Sequence, residues 1–280
     1  MISQLPMKST LLTVVSFIVF LIVNSLNSEI AHKSTIIGLI APFEGRYQDV
    51  GYNALYATQL AIEEANLSDQ IQLLPLDIGT NISDMSQRLN AINNNQGIIA
   101  VVIIDYENQT IPELDFNAEV PIIAMGEWAI TTNSPPFLIY RNPTIQDRLS
   151  DSSLQSVIAG SISDSFTGGE VITIDEFKIF IENIENVTIV SSTQLPSNEF
   201  RESYLELNQF APEPTLVATL TYDVINIILD AVSSAKNLSR SALSSTLHQL
   251  VTDDGYFNNV SILEYQYVDG ELMIVDHVIE

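Results

Sequence analysis

The sequence predicts an α/β protein that is built on a parallel sheet. Apolar strand patterns at 34–42, 71–76, 98–104 and 121–125 alternate with helical patterns. The run at 98–104 (IIAVVII) is continuous and rich in β-branched residues, which is typical of a parallel strand covered by helices on both faces. With 46% hydrophobic residues among 280, the chain has enough apolar surface for one large domain or two small ones.

The remaining elements are predicted from apolar spacing and from helix-breaking residues. A helix at 215–235 carries the clearest apolar stripe, and the pattern at 173–176 (TIDE) has the spacing of a helix capping box. The sequence ends in a predicted hairpin, with strands at 262–268 and 272–279 around the turn pair at 269–270. Further helices and short strands are predicted at 52–66, 83–94, 137–140, 146–159, 174–184, 187–192, 200–207 and 242–250.

The composition excludes several functional classes. The formal net charge is −25, from 35 acidic and 10 basic residues, and a surface this acidic repels phosphate backbones. We therefore expect no nucleic-acid partner and assign the charge first to solubility. The chain has no cysteine, which excludes disulfides, thiolate metal sites and a lipid anchor attached through cysteine. We expect no cofactor and no bound metal ion.

Residues 1–28 have the pattern of an export segment. Lys8 precedes the apolar run at 11–23 (LLTVVSFIVFLIV), which is short for a membrane-spanning helix and fits the apolar region of a signal peptide. Cleavage after Ser25 or Ser28 and retention as an N-terminal membrane anchor both remain open, since neither site has the A-x-A pattern. Both alternatives predict an extracytoplasmic protein, which is periplasmic, exposed on the cell surface or secreted.

Two blocks of sequence carry a family resemblance. The block at 36–66 has an apolar strand, a Pro/Gly loop, a glycine and a helix that ends in the phrase A-I-x-x-A-N. The block at 200–232 has an F-x-x-x-Y helix, a proline turn and a helix that contains a motif beginning with Tyr-Asp. Together they resemble substrate-binding proteins of branched-chain amino-acid ABC transporters, in the type 1 periplasmic-binding family. The second block rests on Phe200, Tyr204, Pro214, Tyr222, Asp223, Leu229 and Ala231.

The resemblance implies two lobes, each an α/β sandwich, that are hinged around a ligand cleft, with a chain that crosses between them more than once. On this map lobe 1 spans 34–138 plus 197–250, and lobe 2 spans 139–196 plus 254–280. The insert 139–196 has only 58 residues, and a βαβ unit needs about 30 or more. We therefore expect a reduced second lobe, in which closure over a ligand is an open question.

Ligands of open parallel sheets bind beyond the carboxyl ends of the strands. Three loops at such positions hold the candidate ligand-binding residues Phe43, Glu44, Asp105, Tyr106, Gly126, Glu127 and Trp128. In the amino-acid-binding relatives, the resemblance implies small and hydroxyl residues in the second and third of these loops. Acidic and aromatic residues stand there in this chain, so we expect a cationic, polyhydroxylated or aromatic ligand rather than an α-amino acid. The alternative is that these loops are solvated and bind nothing.

An enzyme is not expected. The three histidines, His32, His248 and His277, are far apart, and the sequence has no nucleophile-elbow, phosphate-loop or zinc-protease motif. We expect a solute-binding protein that delivers a small molecule to an ABC transporter permease or reports it to a membrane receptor. The alternative is an interaction module of the same fold that has lost ligand binding. The short lobe 2 favours the alternative, and the acidic and aromatic loops favour the solute-binding protein.

Overall fold

The computed structural model describes residues 35–79, 82–104, 120–125, 137–140, 170–173, 187–235, 239–252, 255–258, 260–268 and 271–278. All of these residues lie within the unit Thr35–Glu280. The predicted export segment at 1–28 and the helices predicted at 146–159 and 174–184 lie outside the described residues.

The first sheet has five parallel strands in the order β2-β1-β3-β4-β5. They are β1 (Thr35–Ala41), β2 (Ile71–Asp77), β3 (Ile98–Ile104), β4 (Ile122–Met125) and β5 (Phe137–Ile139). All seven residues of β3 are buried, which confirms the prediction from its continuous apolar run. Pro75 lies in β2 at the edge of the sheet, where the missing N–H of a proline is tolerated.

Helices cover both faces of this sheet. The described helices are α1 (Gln48–Glu64), α2 (Ile82–Asn94), α3 (Asn198–Leu207), α4 (Leu216–Ser234) and α5 (Arg240–His248), of which α3 packs on α1 rather than on the sheet. One face of the sheet forms an apolar core with α1, α4 and α5, and the other face packs against Met85, Leu89 and Ile92 of α2. The predicted α/β class with a parallel sheet is therefore confirmed.

The start of α1 differs from its prediction. The helix begins at Gln48, four residues before the predicted start at 52, and Gly51 lies in its first turn. A Cβ atom at Gly51 would lie 2.2 Å from the carbonyl oxygen of Pro42. Only glycine therefore lets the helix approach the end of β1 this closely. Ala54 and Ala61, part of the predicted small-residue face, are fully buried.

By length and composition, α4 is the one helix of the described part that could cross a membrane. However, 67% of its apolar window is buried in the protein. It packs against α1 and the first sheet, and the side chains of its predicted stripe lie in the core there. This burial is typical of the central helix of a folded domain, and we assign that role to α4.

The second sheet has four strands in the order β6-β7-β8-β9. They are β6 (Glu170–Thr173), β7 (Val187–Ser191), β8 (Ile262–Val268) and β9 (Glu271–Val278). β6 and β7 are parallel, whereas β7, β8 and β9 are antiparallel, and the last two form the predicted C-terminal hairpin. The sequence pattern does not predict β6, because it assigns Thr173 to a helix cap, whereas this residue ends a strand.

Candidate functional site

The carboxyl ends of the five parallel strands lie along one edge of the first sheet, at Ala41, Asp77, Ile104, Met125 and Ile139. Ligands bind at this edge in open parallel α/β sheets. Of the seven residues predicted to line a cleft, Phe43 and Glu44 follow β1 at this edge. The other five lie outside the described residues: Asp105, Tyr106, Gly126, Glu127 and Trp128.

The loop after β1 is held by the carboxylate of Asp77, the last residue of β2. One oxygen, Oδ1, accepts hydrogen bonds from the backbone N–H groups of Phe43 at 2.8 Å and Glu44 at 3.2 Å. The other oxygen accepts from the N–H of Gly79 at 2.8 Å. The Asp77 carboxylate therefore fixes the backbone at the carboxyl edge of the sheet.

Phe43 and Glu44 have different environments. Phe43 is half-buried, packs against the core, and meets the ring of Tyr52 edge to face with a centroid distance of 6.0 Å. Glu44 is exposed and precedes the short 3-10 turn Gly45–Tyr47 without capping it through its side chain. Phe43 thus supports the loop, while Glu44 presents a negative charge at the sheet edge.

Three stretches of chain, which we call the crossings, join the first sheet and its helices to the second sheet. The first crossing leaves β5 at Tyr140, the second (192–197) leads from β7 to α3, and the third (249–261) leads from α5 to β8. The first and third are paired, because the N–H of Phe257 donates to the carbonyl of Ile139 at 3.1 Å. The rings of Tyr140 and Phe257 also meet edge to face, with centroids 5.8 Å apart.

The second crossing is held by Asp223 of α4 and Tyr265 of β8. The hydroxyl of Thr193 donates to Asp223 Oδ2 at 2.5 Å. The hydroxyl of Tyr265 accepts from the N–H of Leu195 at 3.1 Å and donates to the carbonyl of Thr193 at 3.3 Å. Burial raises the pKa of Asp223, while hydrogen bonds from Thr193 and Tyr140 act in the opposite direction.

Sequence reasoning missed the roles of both carboxylates. Asp77 directly follows a predicted strand, so the same strand-end rule that selected Phe43 could have found it. Asp223 lies beside the apolar stripe of α4, and its bonding partner Thr193 is 30 residues away in the sequence. Among the residues that the structure describes, no group of three His, Asp or Glu side chains is placed to hold a metal ion.

Solved structures of several substrate-binding proteins are similar to this chain in fold. The branched-chain amino acid transporter substrate binding protein LivJ of Streptococcus pneumoniae, solved with isoleucine, matches with a TM-score of 0.60 and 14% identity, over 88% of this chain and 100% of that chain. The leucine binding protein LivK of Thermotoga maritima matches with a TM-score of 0.61 and 13% identity, over 87% and 98% of the two chains. An ABC transporter substrate-binding protein of Desulfitobacterium hafniense, solved with Leu, matches with a TM-score of 0.56 and 13% identity, over 86% and 100%.

The chain has the type 1 periplasmic-binding fold. The sequence itself matches no protein-family model and no curated protein. At 13–14% identity the likeness establishes the architecture, and it confirms at the level of the fold the resemblance seen in the two sequence blocks. The five-stranded parallel sheet and its flanking helices are thus a type 1 periplasmic-binding sheet, with its carboxyl edge held by Asp77.

Proposed function

We propose that this protein is an extracytoplasmic solute-binding protein, which captures a small molecule in a cleft between two lobes for an ABC-type transporter or a sensor. The main support for this proposal is the fold of the chain. It is shared over 86–88% of the chain with structures named as ABC-transporter substrate-binding proteins or as a leucine binding protein. The same likeness favours a binding role over an enzymatic one.

We assign the first sheet and its helices to lobe 1, at 34–138 plus 197–250, and the second sheet to lobe 2, at 139–196 plus 254–280. The distribution of strands supports this division, because β1–β4 fall in the first set of residues and β6–β9 in the second. The short β5 straddles the boundary, since it ends at Ile139. With an insert of 58 residues, lobe 2 is the smaller one in this proposal.

We place the solute at the carboxyl edge of the first sheet, against the seven residues predicted from sequence. Support comes from the loop after β1, which Asp77 holds at this edge with Glu44 exposed beside it. In the sequence, 105–108 directly follows β3 and 126–128 directly follows β4. The first stretch contains two carboxylates and Tyr106, and the second contains Glu127 and Trp128. This chemistry favours a cationic, polyhydroxylated or aromatic solute over an α-amino acid.

The export pattern at 1–28 supports a location outside the cytoplasm, with an N-terminal anchor if this segment is retained. N-terminal sequencing of the protein recovered from the cell envelope or the medium distinguishes cleavage from anchoring. Recovery of the intact chain from the soluble cytoplasm would contradict this part of the proposal.

A thermal-shift screen of small solutes on the full chain tests the binding function. We expect a cationic, polyhydroxylated or aromatic solute to raise the unfolding temperature saturably and to change the fluorescence of Trp128, the one tryptophan of the chain. For a cationic solute, Glu127→Gln should weaken binding by about 1–3 kcal/mol, the usual range for a hydrogen bond to a charged group. Glu199→Gln, at an exposed position of α3, is the matched control and should leave the affinity unchanged.

A second candidate function is an interaction module that has kept the fold and lost ligand binding. The observation that favours it is the short insert at 139–196, which leaves little chain to close over a ligand. A screen in which no solute raises the unfolding temperature supports this second candidate and contradicts the first.

A further inference from the structure

A cavity of about 370 Å³ lies where the crossings meet α3 and α4. Its described lining comes from all three crossings, from α3 and α4, and from the start of β8. The lining residues are Tyr140, Ser192, Thr193, Gln194, Leu195, Ser197, Phe200, Thr219, Tyr222, Asp223, Val260, Ser261 and Leu263. This volume is at the lower end of the range of about 300–1,000 Å³ for small-molecule sites. Phe43 and Glu44, the two described residues of the cleft site proposed above, are not among the described walls of the cavity.

Asp223 is the one charged residue among the described lining residues of this cavity. Its carboxylate already accepts hydrogen bonds from Thr193 and Tyr140. A carboxylate offers about four acceptor positions, so these two bonds leave room for further donors. A partly buried carboxylate is stabilised by an opposite charge within about 4–6 Å. The electrostatics of the cavity therefore favour a cation over an anion or a neutral molecule.

Aromatic and apolar side chains form the rest of the wall. The rings of Phe200 and Tyr222 meet edge to face with centroids 5.3 Å apart, and both line the cavity. Aromatic faces attract cations, and apolar lining from Leu195 and Leu263 accommodates a hydrocarbon body. The lining thus fits a molecule with one cationic end and one apolar end.

We propose that this cavity is a second binding site, which takes a small organic amine whose ammonium group pairs with Asp223 and whose apolar body packs on Phe200 and Tyr222. An occupant would contact all three crossings at once. It would therefore stabilise one relative placement of the segments that join the two sheets. This site does not depend on the identity of any cleft solute.

Phenethylamine is the probe, and 2-phenylethanol and 3-phenylpropionate are its neutral and anionic counterparts. Calorimetric titration of the full chain in mild detergent should show that the amine binds at least about tenfold more tightly than the alcohol, with no saturable binding of the acid. Asp223→Asn should remove the preference for the amine. Asp230→Asn, which removes an exposed carboxylate from the same helix, should preserve the preference.

If the wild-type protein binds phenethylamine and 2-phenylethanol with equal affinity, that result alone overturns the proposal. An undiminished preference in Asp223→Asn would also overturn it. A third test blocks the cavity sterically, because Thr219 lies on its α4 wall and is half-buried. Thr219→Phe should abolish phenethylamine binding, whereas Ser241→Phe, on the exposed face of α5, should not. Unchanged binding to Thr219→Phe would place the amine elsewhere and overturn the proposal.

Discussion

Arg240 shows at the residue scale how one buried side chain joins two elements. It is 5% exposed, and its guanidinium donates to backbone carbonyls at the end of α2 and the start of β3. Nε bonds the carbonyl of Ile98 at 2.7 Å, and the terminal nitrogens bond those of Ile92 at 3.0 Å, Asn93 at 2.9 Å and Asn95. A cation at the carboxyl end of a helix also interacts favourably with the helix dipole. Arg240 therefore links α5, on one face of the sheet, to the start of β3 and to the end of α2 on the other face.

We expect Arg240→Met to lower the free energy of unfolding by roughly 3 kcal/mol, because it leaves buried carbonyls without donors. Arg201→Met is the control, since Arg201 pairs with Glu213 on the exposed surface, where such pairs contribute little to stability, and only a small loss is expected there. Urea denaturation of the two variants measures both losses. Equal losses would show that the bonds of Arg240 to the carbonyls do not stabilise the fold.

Asp223 gives a second prediction at this scale, on pH. Burial raises its pKa above the ordinary value of 3.8, so the folded protein keeps this proton over a pH range in which the unfolded chain has lost it. The contribution of this carboxyl to stability is therefore full below the ordinary value and is lost as the pH rises through the folded pKa. Relative to wild type, Asp223→Asn should gain in unfolding free energy across that range.

Urea denaturation at a series of pH values, from below 3.8 to neutral, measures this difference. Asp230→Asn, exposed on the same helix, serves as the control for the loss of one negative charge. If the stability curves of wild type and Asp223→Asn run parallel across the series, burial does not raise the pKa of this carboxyl.

At the scale of elements, α1 caps the start of α4. Thr215 precedes α4 and makes no capping bond with its own side chain. Instead, Oδ1 of Asn53 in α1 accepts from the N–H of Thr215 at 2.7 Å and from its hydroxyl at 3.2 Å. Asn53 is 1% exposed, and its amide nitrogen donates to the carbonyl of Asp49 at 2.9 Å. One buried amide thus fixes α1 and α4 against each other.

Asn53→Ala should lower the unfolding free energy by about 0.5–2 kcal/mol, the usual range for loss of a helix cap, because it removes the acceptor for the N–H and hydroxyl of Thr215 at the start of α4. Asn90→Ala, at an exposed position of α2, is the control, and a change within about 0.5 kcal/mol is expected there. Hydrogen exchange at the first turn of α4 should also accelerate in Asn53→Ala alone. Equal effects of the two substitutions would exclude a capping role for Asn53.

Local sequence pattern predicts some of these elements better than others. β3 is predicted to its exact ends because seven consecutive apolar residues leave no competing assignment. The sequence pattern misses the first turn of α1, because a glycine usually argues against a helix. Gly51 is needed there for the close approach to Pro42, and a local pattern does not encode that contact. The same reason applies to the site. Strand ends predict the positions of both Phe43 and Asp77, whereas the hydrogen bond between them joins residues 34 positions apart and is not encoded locally.

At the scale of the whole molecule, the three crossings connect a parallel sheet to a mixed one. The first and third crossings pair through Ile139 and Phe257, and the second is tied to α4 through Asp223 and to β8 through Tyr265. Among the described residues, these hydrogen bonds link the segments that run between the two sheets. In our proposal this is where the cleft opens and closes around a solute.

The distance between the two sheets, with and without a solute, tests the central claim most directly. The chain has no cysteine, so Asn90→Cys on α2 and Met273→Cys on β9, both exposed, give two unique positions for spin labels. For a solute that saturably raises the unfolding temperature, we predict that the label-to-label distance distribution shortens and narrows on binding. A saturating solute that leaves this distribution unchanged would contradict capture in a closing cleft.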